Sequence, residues 1–142
     1  MKITAIEIIK VPPSWVWIKV QTDTEHFGYG EPYLENHPET VIAEVKRLEP
    51  FLIGKDPTQV EKLWKVMYES GNGYFGGPIK LSAISGIDMA LWDIASKAAR
   101  IPVHQMLGGK IFNRIKVYRA TGGQMPWVVD PGDPYSAGSP SR

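Results

Sequence analysis

The chain has no cysteine, which excludes a disulfide framework, a zinc–thiolate site and a thiol nucleophile at once and fits a reducing compartment. It also lacks charge of one dominant sign. Sixteen Lys and Arg against fifteen Asp and Glu leave a net charge of +1, and no block of like charge tracks a phosphate backbone, so nucleic acid is not an expected partner. Nor does any apolar run approach the roughly 20 residues that a membrane helix needs, so no membrane partner is expected. The opening MKITAIEIIKV interleaves charged and apolar residues without the apolar core or small-residue cleavage site of a signal peptide. The cytoplasm is the expected location.

With 142 residues, 43% of them hydrophobic and 22% charged, the chain can bury a core. Lys2 to Val11 is rich in Ile and Thr, and Trp15 to Thr22 alternates, Val16, Ile18 and Val20 facing one way and Trp17, Lys19 and Gln21 the other. With Phe27 to Glu31 as a third strand, short connections allow an antiparallel meander. The period then changes. Pro38 suits a first helical turn, and Val41, Val45, Leu48 and Leu52 form a helical stripe up to Gly54, with Pro50 bending the last turn. Asp56 and Pro57 are expected to cap and open a second helix, whose stripe is Val60, Leu63, Trp64, Met67 and Tyr68 and which Gly71 ends. A third helix is expected from about Ile79 to Arg100, burying Ile84, Ile87, Leu91, Ile94 and Ala98, with Pro102 as the stop. Strands followed by helices make this an α+β domain: a three-stranded antiparallel meander and then a helical bundle. Ile115 to Thr121 has strand composition without a partner. From Gln124 onward four of the twelve prolines mix with Gly, Ser and Asp, the composition of a disordered tail.

Three constellations invite a chemical reading. Gly71, Gly73 and Gly76 satisfy the G-x-G-x-x-G spacing of a dinucleotide loop, but a helix precedes them where the fingerprint requires a strand. An interhelical loop is the better local reading, and its Tyr74 and Phe75 suit a lid that excludes water. His26, His37 and His104 have no second ligand at helical spacing, so no metal site is expected. Among Glu35, Asn36 and His37, which precede Pro38, Asn36 or His37 is expected to cap the first helix. Asp88 and Asp93, five residues apart on one helix, diverge by about 140° and cannot share a substrate. Asp93 and Lys97 make an i,i+4 surface pair, and Asp88 is expected to tether donors in the core. No serine, histidine and acid form a nucleophilic arrangement, so no catalytic residue is assigned.

In order and spacing PPSWVWIKVQTD, GYGEP, LIGKDPTQVEKLWKVMY, GGPIKLSAISGIDMALWDIASKAARIPVHQMLGGK and IKVYRATGG resemble the mandelate racemase and muconate lactonizing enzyme branch of the enolase superfamily, most of all its galactonate dehydratase group. The likeness runs over residues 1 to 123. It implies a capping domain over residues 1–110, the first strand of a TIM-type barrel over 111–123, and a disordered tail over 124–142. In such enzymes barrel carboxylates hold one Mg²⁺, a base removes the proton beside the substrate carboxylate, and an acid helps the β-hydroxyl leave as water. The product is a 2-keto-3-deoxy sugar acid. The resemblance places Pro12 to Trp15 and Glu35, Asn36 and His37 toward the distal hydroxyls of the sugar acid, with Tyr74 and Phe75 as neighbours. Mannonate dehydratase relatives carry a histidine where Ala120 stands here, and Arg119 has no role by likeness.

The metal ligands and catalytic partners of the family belong to later barrel strands. This chain is therefore expected to hold no cofactor of its own and to be inactive alone, as a gene fragment or the product of a frameshift near Gly123. The alternative is a non-catalytic interaction module that associates with itself or with a complete homologue through apolar surface that the barrel would otherwise cover.

Overall fold

The computed structural model describes residues 1–11, 15–71 and 76–114. The chain divides into two compact units, Met1–Gly109 and Lys110–Arg142. Of the second, residues 110–114 are described and hold neither helix nor strand. The expected strand at Ile115 to Thr121 and the tail from residue 124 lie outside the described residues, as do Pro12, Tyr74 and Phe75.

The first unit opens with β1 (Ile3–Val11), β2 (Trp15–Thr22) and β3 (Phe27–Gly30), paired antiparallel in the order β1-β2-β3. The alternation in β2 has its expected effect: Val16, Ile18 and Val20 are buried, and Trp17 faces outward. β3 ends at Gly30, one residue before the expected Glu31, because Pro32 offers no amide to extend the ladder.

Among the described residues four α-helices follow: α1 (Pro38–Leu48), α2 (Val60–Glu69), α3 (Pro78–Ala99) and the short α4 (Val103–Met106), which the sequence pattern did not signal. Pro50 ends α1 by converting Glu49–Phe51 into a 3-10 turn. Asp56 does not cap α2. Its Oδ1 instead accepts from the backbone N of Thr58 at 3.0 Å and from the Thr58 hydroxyl at 2.8 Å, a local turn that delays the helix until Val60 and lowers the Asp56 pKa. At its far end α3 closes on Arg100, which adopts the left-handed conformation with φ 58°.

The core lies between the sheet and the helices. Ile6, Ile18 and Val20 meet Val41, Val45 and Leu48 of α1, Leu63 and Met67 of α2, and Ile84, Ile87, Leu91 and Ile94 of α3. Two expected members are elsewhere. Trp64 stays 37% exposed and stacks on Tyr68, ring centroids 5.0 Å apart, because the buried stripe of α2 is narrower and runs through Val60, Leu63 and Met67. Ala98 is exposed, as are its neighbours 97–100 at the end of α3, whose last buried residues are Ile94, Ala95 and Ser96. No described helix is long and apolar enough to cross a membrane.

Candidate functional site

The β1–β2 register places Val11 opposite Trp15 and Lys10 opposite Val16, so this hairpin end of the sheet is where Trp15 sits. β3 runs toward the same end, with Gly30 opposite Ile18. The chain therefore emerges at Glu31 beside the hairpin and turns through residues 33–37 into α1. An ion pair from Lys10 to Glu39 joins the β1 end to the first turn of α1. Through that pair the strand end that faces Trp15 and Val16 is tied to the helix into which the turn bearing Glu35, Asn36 and His37 leads.

That turn has specific chemistry. The His37 backbone N donates to the Leu34 carbonyl at 3.1 Å, and the His37 carbonyl accepts from Val41. Asn36 sits in the left-handed region at φ 60°, which Asn tolerates better than most residues. His37 occupies the N-cap position as expected, but its side chain makes no capping bond. Glu35, Asn36 and His37 are all exposed. None makes a side-chain hydrogen bond or ion pair to another described residue. One carboxylate, one amide and one imidazole thus supply both donors and acceptors to whatever lies above the turn.

The turn is held by an unusually close contact between β3 and α3, which the sequence reading missed. A Cβ built on Gly28 would lie 2.0 Å from the Ala90 carbonyl oxygen, and one on Gly30 would lie 1.8 Å from that of Gly86. One on Gly86 would come within 2.4 Å of the Pro32 backbone N. The alternating glycines of GYGEP were the available signal, since glycine inside a strand marks a close approach of another backbone. The Asp93–Lys97 pair does more than decorate a surface. Asp93 Oδ2 accepts from the Tyr29 backbone N at 3.1 Å and from Lys97 Nζ at 2.7 Å, while Lys97 Nζ donates to the Phe27 carbonyl at 2.7 Å. Together they seal the free edge of β3.

The glycine segment between α2 and α3 is flanked by two held ends. Arg47 makes two bonds to Glu44, at 2.8 and 2.7 Å, and donates to the Ser70 carbonyl at 3.3 Å. The Glu44 contact holds the guanidinium more firmly protonated than usual. Buried Lys80 donates to the Tyr68 carbonyl at 2.6 Å and so satisfies one of the last carbonyls of α2. A helix precedes Gly71, which agrees with rejecting a dinucleotide loop.

Asp88 corrects an expectation. It tethers no donor among the described residues. Its carboxyl is half-buried and its pKa is raised, first by desolvation and then by the nearby Glu61. No three His, Asp or Glu side chains among the described residues converge as a metal-holding group.

Residues 6–108 match the family described as mandelate racemase / muconate lactonizing enzyme, N-terminal domain. The chain is 47% identical over 126 residues to a D-galactonate dehydratase of Verminephrobacter eiseniae (strain EF01-2), covering 89% of this chain and 33% of the relative. It is 48% identical over 129 residues to a D-galactonate dehydratase of Klebsiella pneumoniae (strain 342), covering 91% and 34%. The chain therefore spans about a third of the length of these curated relatives. Among solved structures, an enolase described as a putative galactarate dehydratase from Agrobacterium radiobacter, with bound Na and L-malate, aligns with TM-score 0.76 and 33% identity over 83% of this chain and 30% of its own. An enolase from Pantoea ananatis with bound D-gluconate and Mg aligns with TM-score 0.72 and 37% identity over 78% and 28%.

Proposed function

Since the chain belongs, through residues 6–108, to the mandelate racemase / muconate lactonizing enzyme N-terminal domain family, we propose that it is the capping domain of a galactonate-type sugar-acid dehydratase. In this reading it closes over the substrate and sets specificity, while proton abstraction and loss of water belong to a barrel. The observation that supports it is the 35–37 turn: three exposed polar side chains without partners among the described residues, entered from a strand that a glycine-tight contact with α3 fixes. A polyhydroxylated acid needs donors and acceptors at its hydroxyls, and Glu35, Asn36 and His37 provide both. Trp15 adds an aromatic wall that displaces water.

The Mg²⁺ used by complete enzymes of this kind has no fitting donor set among the described residues, because no three acidic or histidine side chains converge. The capping role is positional: holding distal hydroxyls fixes the reacting end of the substrate, and orientation alone accounts for a large share of catalysis. Incubating the 142-residue chain with Mg²⁺ and a panel of aldonic acids, and assaying 2-keto-3-deoxy products, tests this division of labour. No product is expected, and turnover would refute the proposal.

A further inference from the structure

Residues 31–37 join a strand that cannot shift to a helix whose first turn is lightly held. Upstream, Pro32 is buried against Gly86. Downstream, the first buried residue of α1 is Val41, and the N-cap residue His37 makes no side-chain bond. Among the described residues, the only side-chain hydrogen bond made from Glu31 to Thr40 is that of Glu39 with Lys10.

The position of Lys10 is unusual for a lysine. β1 turns Ile6 and Ile8 toward the helices, and strand alternation brings Lys10, next in that series, to the same face. Its partner across the strands is Val16, which is 1% exposed. An apolar residue there would extend the core. A lysine instead reaches the first turn of α1, where Glu39 also suits the positive end of the helix dipole.

We propose that Lys10 and Glu39 are positioning residues: their ion pair fixes the downstream end of the turn that bears Glu35, Asn36 and His37, as the glycine contact fixes its upstream end. The consequence for substrate rests on the capping reading. The pair acts through the turn, by narrowing the range of positions from which the three polar side chains meet a sugar acid. Its side chains are 46% and 71% exposed, so the tie has the strength of a surface pair, about two- to fivefold in an equilibrium, and salt screens it.

Hydrogen exchange on the 142-residue chain, read by NMR, tests the positional claim through the amides of His37 and Val41, which bond to the Leu34 and His37 carbonyls. Lys10→Met and Glu39→Gln should each speed their exchange by about two- to fivefold, and the double variant should exchange no faster than either. Lys10→Arg should keep the protection, and molar salt should remove it from the unsubstituted chain. Kinetics test the consequence. With residues 1–109 in place of the amino-terminal domain of a D-galactonate dehydratase relative, Lys10→Met should raise KM for D-galactonate by a similar factor at constant kcat, and Lys10→Arg should not. Protection unaltered by Lys10→Met overturns the proposal. A KM that His37→Ala raises and Lys10→Met leaves unchanged overturns it too, with the capping reading still standing. A KM indifferent to both overturns the capping reading and, with it, the role of the pair toward substrate.

Discussion

Gly28 lies so close to Ala90 that a single added carbon would stand 2.0 Å from the helix carbonyl oxygen. Real Cβ atoms do not approach within 3.0 Å, and the obstacle is backbone, which cannot rotate aside. The same holds where Gly30 meets Gly86 and where Gly86 meets Pro32. Strand β3 is thereby locked onto α3, and with it the start of the turn that bears Glu35, Asn36 and His37.

Gly28→Ala and Gly86→Ala are each expected to destabilise the domain by at least about 1–3 kcal/mol, the usual cost of overpacking. Gly54→Ala, where nothing lies within 4 Å of the built Cβ, meets only the cost of its positive φ. Urea titration of the three variants checks the ranking. Equal losses would show that the contact is not a constraint.

Removing the β3 edge clamp should loosen one strand without unfolding the body. Asp93→Ala deletes an acceptor for the Tyr29 amide and leaves Lys97 with the Phe27 carbonyl and the Phe27 and Tyr29 rings. The expected loss is about 1 kcal/mol, because both side chains are partly solvated. Hydrogen exchange should show the Tyr29 amide losing protection while the amides of β1 and β2 facing each other keep theirs. Retained protection at Tyr29 would contradict the clamp.

Asp88 gives a pH dependence of definite sign. A carboxyl whose folded pKa is raised by burial and Glu61 binds its proton more tightly in the folded state. Its contribution therefore favours folding below the usual carboxylate range and is lost as pH rises through the folded pKa. Asp88→Asn should raise the neutral-pH unfolding free energy slightly, by well under about 1 kcal/mol for a half-solvated group, and the gain, read by urea titration, should vanish in acid. A neutral-pH loss would mean that the carboxylate has a partner.

Much of the fold was legible because periodicity is local: β2 alternates, α1 and α3 repeat at helical spacing, and Pro50, Pro102 and Gly54 punctuate them. What was not legible depends on residues far apart in sequence. Nothing near Asp93 announces that its oxygen will bind the amide of Tyr29, and nothing near Gly28 names Ala90. Trp64 fits an apolar stripe by spacing, yet finds a stacking partner in Tyr68 rather than the core. At the site, the N-cap position of His37 was readable from Pro38. That its side chain would leave the cap unfilled was not, since capping competes with other geometries that spacing does not reveal.

Asn36 separates backbone from side chain. Asn36→Gly keeps the left-handed φ and should leave Tm nearly unchanged, whereas Asn36→Ala should cost up to about 1–2 kcal/mol. Thermal unfolding distinguishes the two, and equal behaviour would show that φ is not the constraint.

The capping role is tested most directly by joining residues 1–109 to the barrel of a D-galactonate dehydratase relative, in place of its own amino-terminal domain, and measuring kcat and KM for the sugar acid. With Asn36→Gly and His37→Ala in the cap, KM should rise about tenfold or more while the folded state is unchanged. Sugar-acid kinetics identical to those of the unsubstituted chimaera would contradict the account.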